Sequence, residues 1–147
     1  MCTNRLRHRV PSCRFHAVAK LQGHTLKFHK CSKDGSGKCN AFRTGSQADY
    51  VIGVVFEIDA AEKRDLDRAE GLCHGYRDTC VSVETSQELI EAWMYVAEPT
   101  AIDDRLAPYT WYKDFVLDGA REHGLPAAYI AGTEAVEARQ DRDPIRE

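Results

Sequence analysis

The sequence has no apolar run of about 18 residues and no charged-then-apolar leader, so neither a membrane-spanning helix nor a secretory signal is expected. It has no marked excess of either charge: 20 basic side chains stand against 23 acidic ones, a net of -3, which leaves no electrostatic footprint for nucleic acid or an anionic membrane. One local exception is Arg5, Arg7, Arg9, Arg14 and Lys20, which form a basic stretch free of acids. No row of aromatics accompanies it, and it reads as a solvated edge. The six cysteines contain no CxxC pair, and Cys73-His74 near Cys80 has no spaced partner pair elsewhere, so no metal and no other cofactor is expected. Ser32 to Lys38 has the glycines and lysines of a phosphate loop but not the GxxxxGK[ST] spacing, and no apolar helix follows Lys38; it reads as a surface turn. There is no internal repeat.

With 147 residues, 43% of them hydrophobic, the chain can bury one core without covalent staples. A single domain over residues 1–139 is expected, followed by a charged tail over 140–147. The cysteines at 2, 13, 31, 39, 73 and 80 are then read as thiols in a reducing compartment, the cytoplasm.

The chain opens on a helical stretch that Thr3 or Asn4 can cap, ended by Pro11-Ser12. Residues 14–21 alternate, Gly23 turns the chain, and residues 25–30 alternate again, which predicts a hairpin. After a polar loop over 32–40, Phe42 begins a short return. Tyr50 to Ile58 is apolar with little alternation, as in a central strand covered on both faces. Asp59 can cap a helix over Ala60 to Arg68. Strands are predicted for Tyr76–Glu84 and Leu89–Ala97, with a turn between them. Tyr112, Phe115, Val116, Gly119, Ala120 and His123 share one helical face, which is placed inward, with Phe115 and Val116 as core. Gly124 ends that helix, and Pro126 opens a last one running to about Arg139. His123 reads as a helix-end charge or a packing residue. The mixture implies an α+β fold with a strongly curved sheet or small barrel flanked by helices.

Glu70 is the one carboxylate singled out for chemistry. It lies where a polar helical stretch, Leu66-Asp67-Arg68-Ala69-Glu70, stops at Gly71, and Tyr76 follows within reach of a turn. A glutamate in a partly dry cleft, its affinity for a proton raised from the free value of about 4.3 toward neutrality, can take and return a proton. Residue chemistry alone goes no further than a domain with a candidate acid/base.

Several stretches in this order resemble the gamma-glutamylcyclotransferase superfamily: Arg5 to Ser12, Asp34-Gly35-Ser36-Gly37, Gly53-Val54-Val55-Phe56, Leu66 to Gly71, Gly75-Tyr76, Trp93-Met94-Tyr95, and Tyr112 through Gly119 to Pro126 and Tyr129. The likeness spans residues 1 to 131. It implies a small mixed barrel with helices around it, and closure of 5-oxoproline from a gamma-glutamyl compound with release of the attached amino acid or amine. Glu70 would be the general acid/base. Tyr76 beside it, with Tyr112 and Tyr129, would be the substrate-binding residues, and the last two would line or order the pocket for a small gamma-glutamyl amino acid or gamma-glutamylamine.

Members of the family also carry a first strand ending in a Tyr-Gly-Ser-Asn loop that cradles substrate, and in this sequence Met1 falls just after the matching position. The fold is therefore expected to lack that strand and loop, with an open strand edge that a second copy would cover as a homodimer. The alternative is a non-catalytic ligand-binding or oligomeric interaction protein of the same fold.

Overall fold

A computed structural model describes residues 2–143. Its elements run α1 (Thr3–Arg9), β1 (Arg14–Gln22), β2 (His24–Cys31), β3 (Gly37–Arg43), β4 (Tyr50–Glu57), α2 (Lys63–Glu70), β5 (Tyr76–Glu84), β6 (Leu89–Ala97), α3 (Thr110–Glu122) and α4 (Ala127–Glu134). A four-stranded antiparallel sheet in the order β4-β1-β5-β6 faces a separate antiparallel ribbon, β2-β3. The fold is thus α+β with a curled rather than a closed sheet. No helix of the described residues is long and apolar enough to cross a membrane.

Two apolar clusters hold these layers. Ala19, Leu21 and Val83 are buried from β1 and β5, with Ala41, Val51, Val55, Ile90 and Met94 packed around them. Leu6, Val10 and Cys13 are buried from α1 and the turn after it, against Phe56, Ile58 and Leu66.

A polar joint ties the ribbon to the sheet. Asn40 Oδ1 accepts the Ala97 N–H at 2.9 Å, which turns its Nδ2 toward His29 Nε2, also at 2.9 Å. An amide nitrogen can only donate, so Nε2 accepts and Nδ1–H donates to Asp104 at 2.7 Å. Asn40, His29 and Ala97 are buried and partnered, and Asp104 closes the chain of bonds from the exposed surface, so the buried polar groups that hold the two layers in register are satisfied.

Several local expectations are corrected. The predicted hairpin between β1 and β2 does not form: Gly23 carries the chain out of the sheet, β1 pairs with β4, and β2 pairs with β3 across a turn confined to residues 32–36. β4 is not central but ends the sheet order. Neither Thr3 nor Asn4 caps α1, whose N-cap is Cys2, without a side-chain bond. Asp59 holds the N-cap position, but of a 3-10 turn over Ala60–Glu62 that precedes α2 and without a side-chain bond, and Glu62 accepts the Ser12 N–H at 3.0 Å. In α3 the buried positions are Leu117 and Gly119, whereas Phe115 is 39% exposed with the Arg5 guanidinium 4.7 Å from its ring centre. The predicted core role of Phe115 is therefore wrong. α4 stops at Glu134, short of Arg139. His123 is a packing residue: its ring stacks on Phe15 at 5.3 Å, meets Phe56 edge-on at 5.7 Å, and bonds Thr3 Oγ1 at 3.1 Å. All six cysteines are free thiols.

Candidate active site

The site is built where α1 and α2 meet. Leu6, Val10 and Cys13 seat α1 against Leu66 of α2, which sets Arg9 beside the end of α2. On its far side α2 is anchored to β5 and β6. Asp67 takes the Lys63 ammonium and the Tyr95 hydroxyl, and Lys63 also reaches Asp78 at 3.2 Å. Burial would lower the proton affinity of Lys63, but its bonds to Asp67 and Asp78 raise it well above the usual lysine range, so this pin stays charged. Glu70 is the last residue of α2. Gly71 follows at φ 75, a left-handed cap that lets the chain turn away directly after the carboxylate. The Glu70 side chain is 20% exposed. Its Oε1 accepts from Arg9 Nη1 at 2.8 Å, and Oε2 has no partner among the described residues.

Glu70 lines a cavity of about 680 Å³ together with Tyr76, Tyr112 and Tyr129. Its apolar wall comes from Leu26 of β2, Val51, Ile52 and Val54 of β4, and Val116 of α3. The three tyrosines differ in what their hydroxyls already do. Tyr76 donates to the Cys39 carbonyl at 2.8 Å, and the Cys39 N–H donates to the Tyr112 hydroxyl at 3.1 Å, so the two rings grip one residue of β3 from both sides. Burial, then the neighbouring Cys39 thiol, raises the proton affinity of both phenols far above the ordinary 10.0, and both stay neutral. Burial likewise pushes the Cys39 thiol up to about 11, so it is not a nucleophile at neutral pH.

Tyr129 is different. Its ring stacks on Tyr50 at 6.1 Å, and its hydroxyl is buried with no hydrogen-bond partner among the described residues. The Ile52 backbone comes close enough to temper the rise in its proton affinity that burial causes, yet does not reach it with bonding geometry. A buried hydroxyl without a partner is uncommon, and this one belongs to a residue of the cavity wall.

The Asp34-Gly35-Ser36-Gly37 stretch shapes the wall next to these rings. Asp34 accepts the Ser36 N–H at 2.9 Å, the Ser36 hydroxyl at 2.6 Å and the Lys38 ammonium at 2.9 Å. Burial would raise the proton affinity of its carboxyl, but the Ser36 and Lys38 bonds hold it far below the usual 3.8. Lys38 is thereby set 4.4 Å from the Tyr112 ring centre and 4.7 Å from that of Trp111. Sequence reasoning missed Arg9, Lys30 and Lys38 as cavity residues. Arg9 was visible only as one of a basic group, and Lys38 only as the end of a turn.

Residues 50–132 match the AIG2-like family. The chain is similar to the gamma-glutamylcyclotransferase of Bos taurus, with 31% identity over an alignment covering 100% of this chain and 79% of the bovine one. It is also similar to the gamma-glutamylcyclotransferase of Homo sapiens, at 28% identity over 93% of this chain and 74% of the human one. A solved structure of a gamma-glutamyl cyclotransferase superposes with a TM-score of 0.87 at 29% identity, covering 97% of this chain and 85% of the other. Sequence and fold agree over nearly the whole length, and the chain belongs to the gamma-glutamylcyclotransferase superfamily and its AIG2-like family.

Proposed function

We propose that this protein cyclises a small gamma-glutamyl compound to 5-oxoproline and releases the attached amine, with Glu70 as the proton carrier. The observation that carries the reading is the Glu70 carboxylate inside the tyrosine-lined cavity, one oxygen held by Arg9 and the other without a partner. The substrate's own α-amino nitrogen attacks its side-chain amide carbon. A carbon–nitrogen bond forms as the ring closes, and the original amide carbon–nitrogen bond breaks. The attacking nitrogen must lose a proton and the departing nitrogen must gain one. Both are attached to the same tetrahedral carbon, so the free Oε2 of Glu70 can take the first proton and deliver it to the second. Nothing is oxidised or reduced, and no co-reactant is consumed.

Folding one substrate so that its amine meets its own carbonyl supplies much of the rate, because the two groups need not be brought together from solution. The unpartnered Tyr129 hydroxyl offers a donor to the carbonyl oxygen as it gains charge. Glu70→Gln keeps an acceptor for Arg9 and removes the proton carrier. 5-Oxoproline release from gamma-glutamyl-alanine should fall by roughly 10²- to 10⁴-fold, while the unfolding midpoint stays close to wild type. Unchanged release by the variant would refute the role of Glu70. Saturable binding of gamma-glutamyl-alanine to the wild-type protein with no 5-oxoproline at all would leave a ligand-binding protein of the same fold.

A further inference from the structure

Among the described residues, six cationic side chains line the cavity, Arg5, Arg9, Lys30, Lys33, Lys38 and Arg68, against the single carboxylate of Glu70. This runs counter to the whole chain, whose net charge is -3. Three of the six are already paired: Arg9 with Glu70 at 2.8 Å, Lys38 with Asp34 at 2.9 Å, and Arg68 with Asp65 at 4.0 Å. Lys33 is exposed, and Arg5 covers the Phe115 ring at the rim.

Lys30 stands apart. Its ammonium lies 4.6 Å from the centre of the Tyr76 ring, and no carboxylate among the described residues pairs with it. Its stem lies against Gly75, where φ is +100 and an added Cβ would come within 2.9 Å of Lys30 Cε and 3.2 Å of Ala101 Cβ. A glycine there keeps open the groove that draws the ammonium inward. Burial first, and then the Lys38 and Lys33 ammoniums, lower the proton affinity of Lys30 from 10.5, with only Cys31 opposing. A partly desolvated ammonium beside two others is costly unless an anion joins it, and the aromatic face beneath it offsets only part of that cost.

We infer that Lys30 is a specificity-determining residue of this chain: its ammonium receives the carboxylate of the departing group. The inference rests on reading the cavity as the cyclisation site. Lys30 begins the run Lys30-Cys31-Ser32-Lys33 along the cavity, and Cys31 and Lys33 in that run are exposed, so it stands where the interior meets solvent. The half of the substrate that leaves must occupy that end, and the half that cyclises lies toward Glu70. Tyr76, whose ring carries the Lys30 ammonium and whose hydroxyl senses the Glu70 charge, joins the two ends.

The test compares gamma-glutamyl-alanine with gamma-glutamylethylamide, which differ only in the carboxylate of the departing group. Wild-type kcat/KM should favour the first by about 10- to 100-fold, the range of a hydrogen bond between charged groups out of bulk water. Lys30→Met and Lys30→Gln should bring the ratio toward one, with thermal midpoints equal to or above wild type, since each removes an uncompensated charge. A wild-type ratio near one, or a ratio unchanged in both variants, overturns the assignment. If the wild-type protein releases no 5-oxoproline, the cyclisation reading falls and calorimetric titration with the same two compounds decides the role of Lys30. Tighter binding of gamma-glutamyl-alanine that is lost in Lys30→Met supports it. Equal binding of the two compounds, or binding of neither, overturns it.

Discussion

Replacing Tyr112 with phenylalanine removes one oxygen atom and separates what this residue does for the fold from what it does in the cavity. Its hydroxyl accepts the Cys39 N–H at 3.1 Å, while Tyr76 donates to the carbonyl of the same residue at 2.8 Å. Both backbone groups of Cys39 are thus satisfied by side chains where β3 has no further strand beside it. Tyr112→Phe therefore acts on stability as well as on the cavity. Loss of the acceptor strands an amide in a part-buried position, which costs about 1–3 kcal/mol. At this chain length each kcal/mol moves the thermal midpoint by roughly 2–4 °C. The assay is thermal and urea unfolding of wild type, Tyr112→Phe, Tyr76→Phe and the double variant. Because both hydroxyls act on one residue, the double variant should depart from additivity by at least about 0.5 kcal/mol. A Tyr112→Phe midpoint within about 1 °C of wild type, together with strict additivity, would refute the claim that the two rings clamp Cys39.

The strands were legible because alternation is local: residues 14–21 and 25–30 each show it, and each is a strand. Their pairing was not, because a turn residue such as Gly23 says only that the chain bends. The partner of β1 is chosen by Ala19 and Leu21, which pack with Val51 and Val55 some thirty residues away in sequence. The lack of alternation in β4 predicts burial on both faces of a central strand. Its true cause is that Val55 serves the core while Ile52 and Val54 line a cavity, so an end strand carries an apolar run. In α3, periodicity gave the helix but not its rotation. Phe115 and Leu117 are both apolar, and only the packing partners decide which is buried.

Glu70 could be singled out because a glycine directly after a helical carboxylate marks a cap, and the structure shows that cap. What faces Glu70 could not be. Arg9 lies 61 positions away and reaches it only through the contact between α1 and α2. The cationic lining was hidden by an overall composition of the opposite sign, and Lys30 looked like any outward residue of an alternating strand. Tyr129 shows the same limit from the other side. The resemblance points to it, but only the fold reveals that its hydroxyl is buried without a partner in the cavity wall.

Two further outcomes check the framework around the site. Asp34→Asn should lower stability at neutral pH by about 1–3 kcal/mol, measured by urea unfolding. The folded-state proton affinity of Asp34 is depressed below 3.8, so the wild-type advantage is complete above that pH and declines as pH falls beneath it. The two unfolding curves should therefore converge between pH 4 and roughly pH 2, and a gap that widens with acid would contradict the assigned Ser36 and Lys38 bonds. The last outcome concerns the rotation of α3, on which the placement of Tyr112 depends. Leu117 is 5% exposed and Phe115 is 39% exposed, so Leu117→Ala should cost about 2–5 kcal/mol and Phe115→Ala less than about 1 kcal/mol, although phenylalanine is the larger side chain. Tyr112 and Phe115 are one helical turn apart and lie on the same side, with Trp111 edge-on to both rings at 6.1 Å. If Phe115→Ala proved the more damaging of the two, α3 would have to be turned about its axis, and Tyr112 would leave the cavity along with its bond to Cys39.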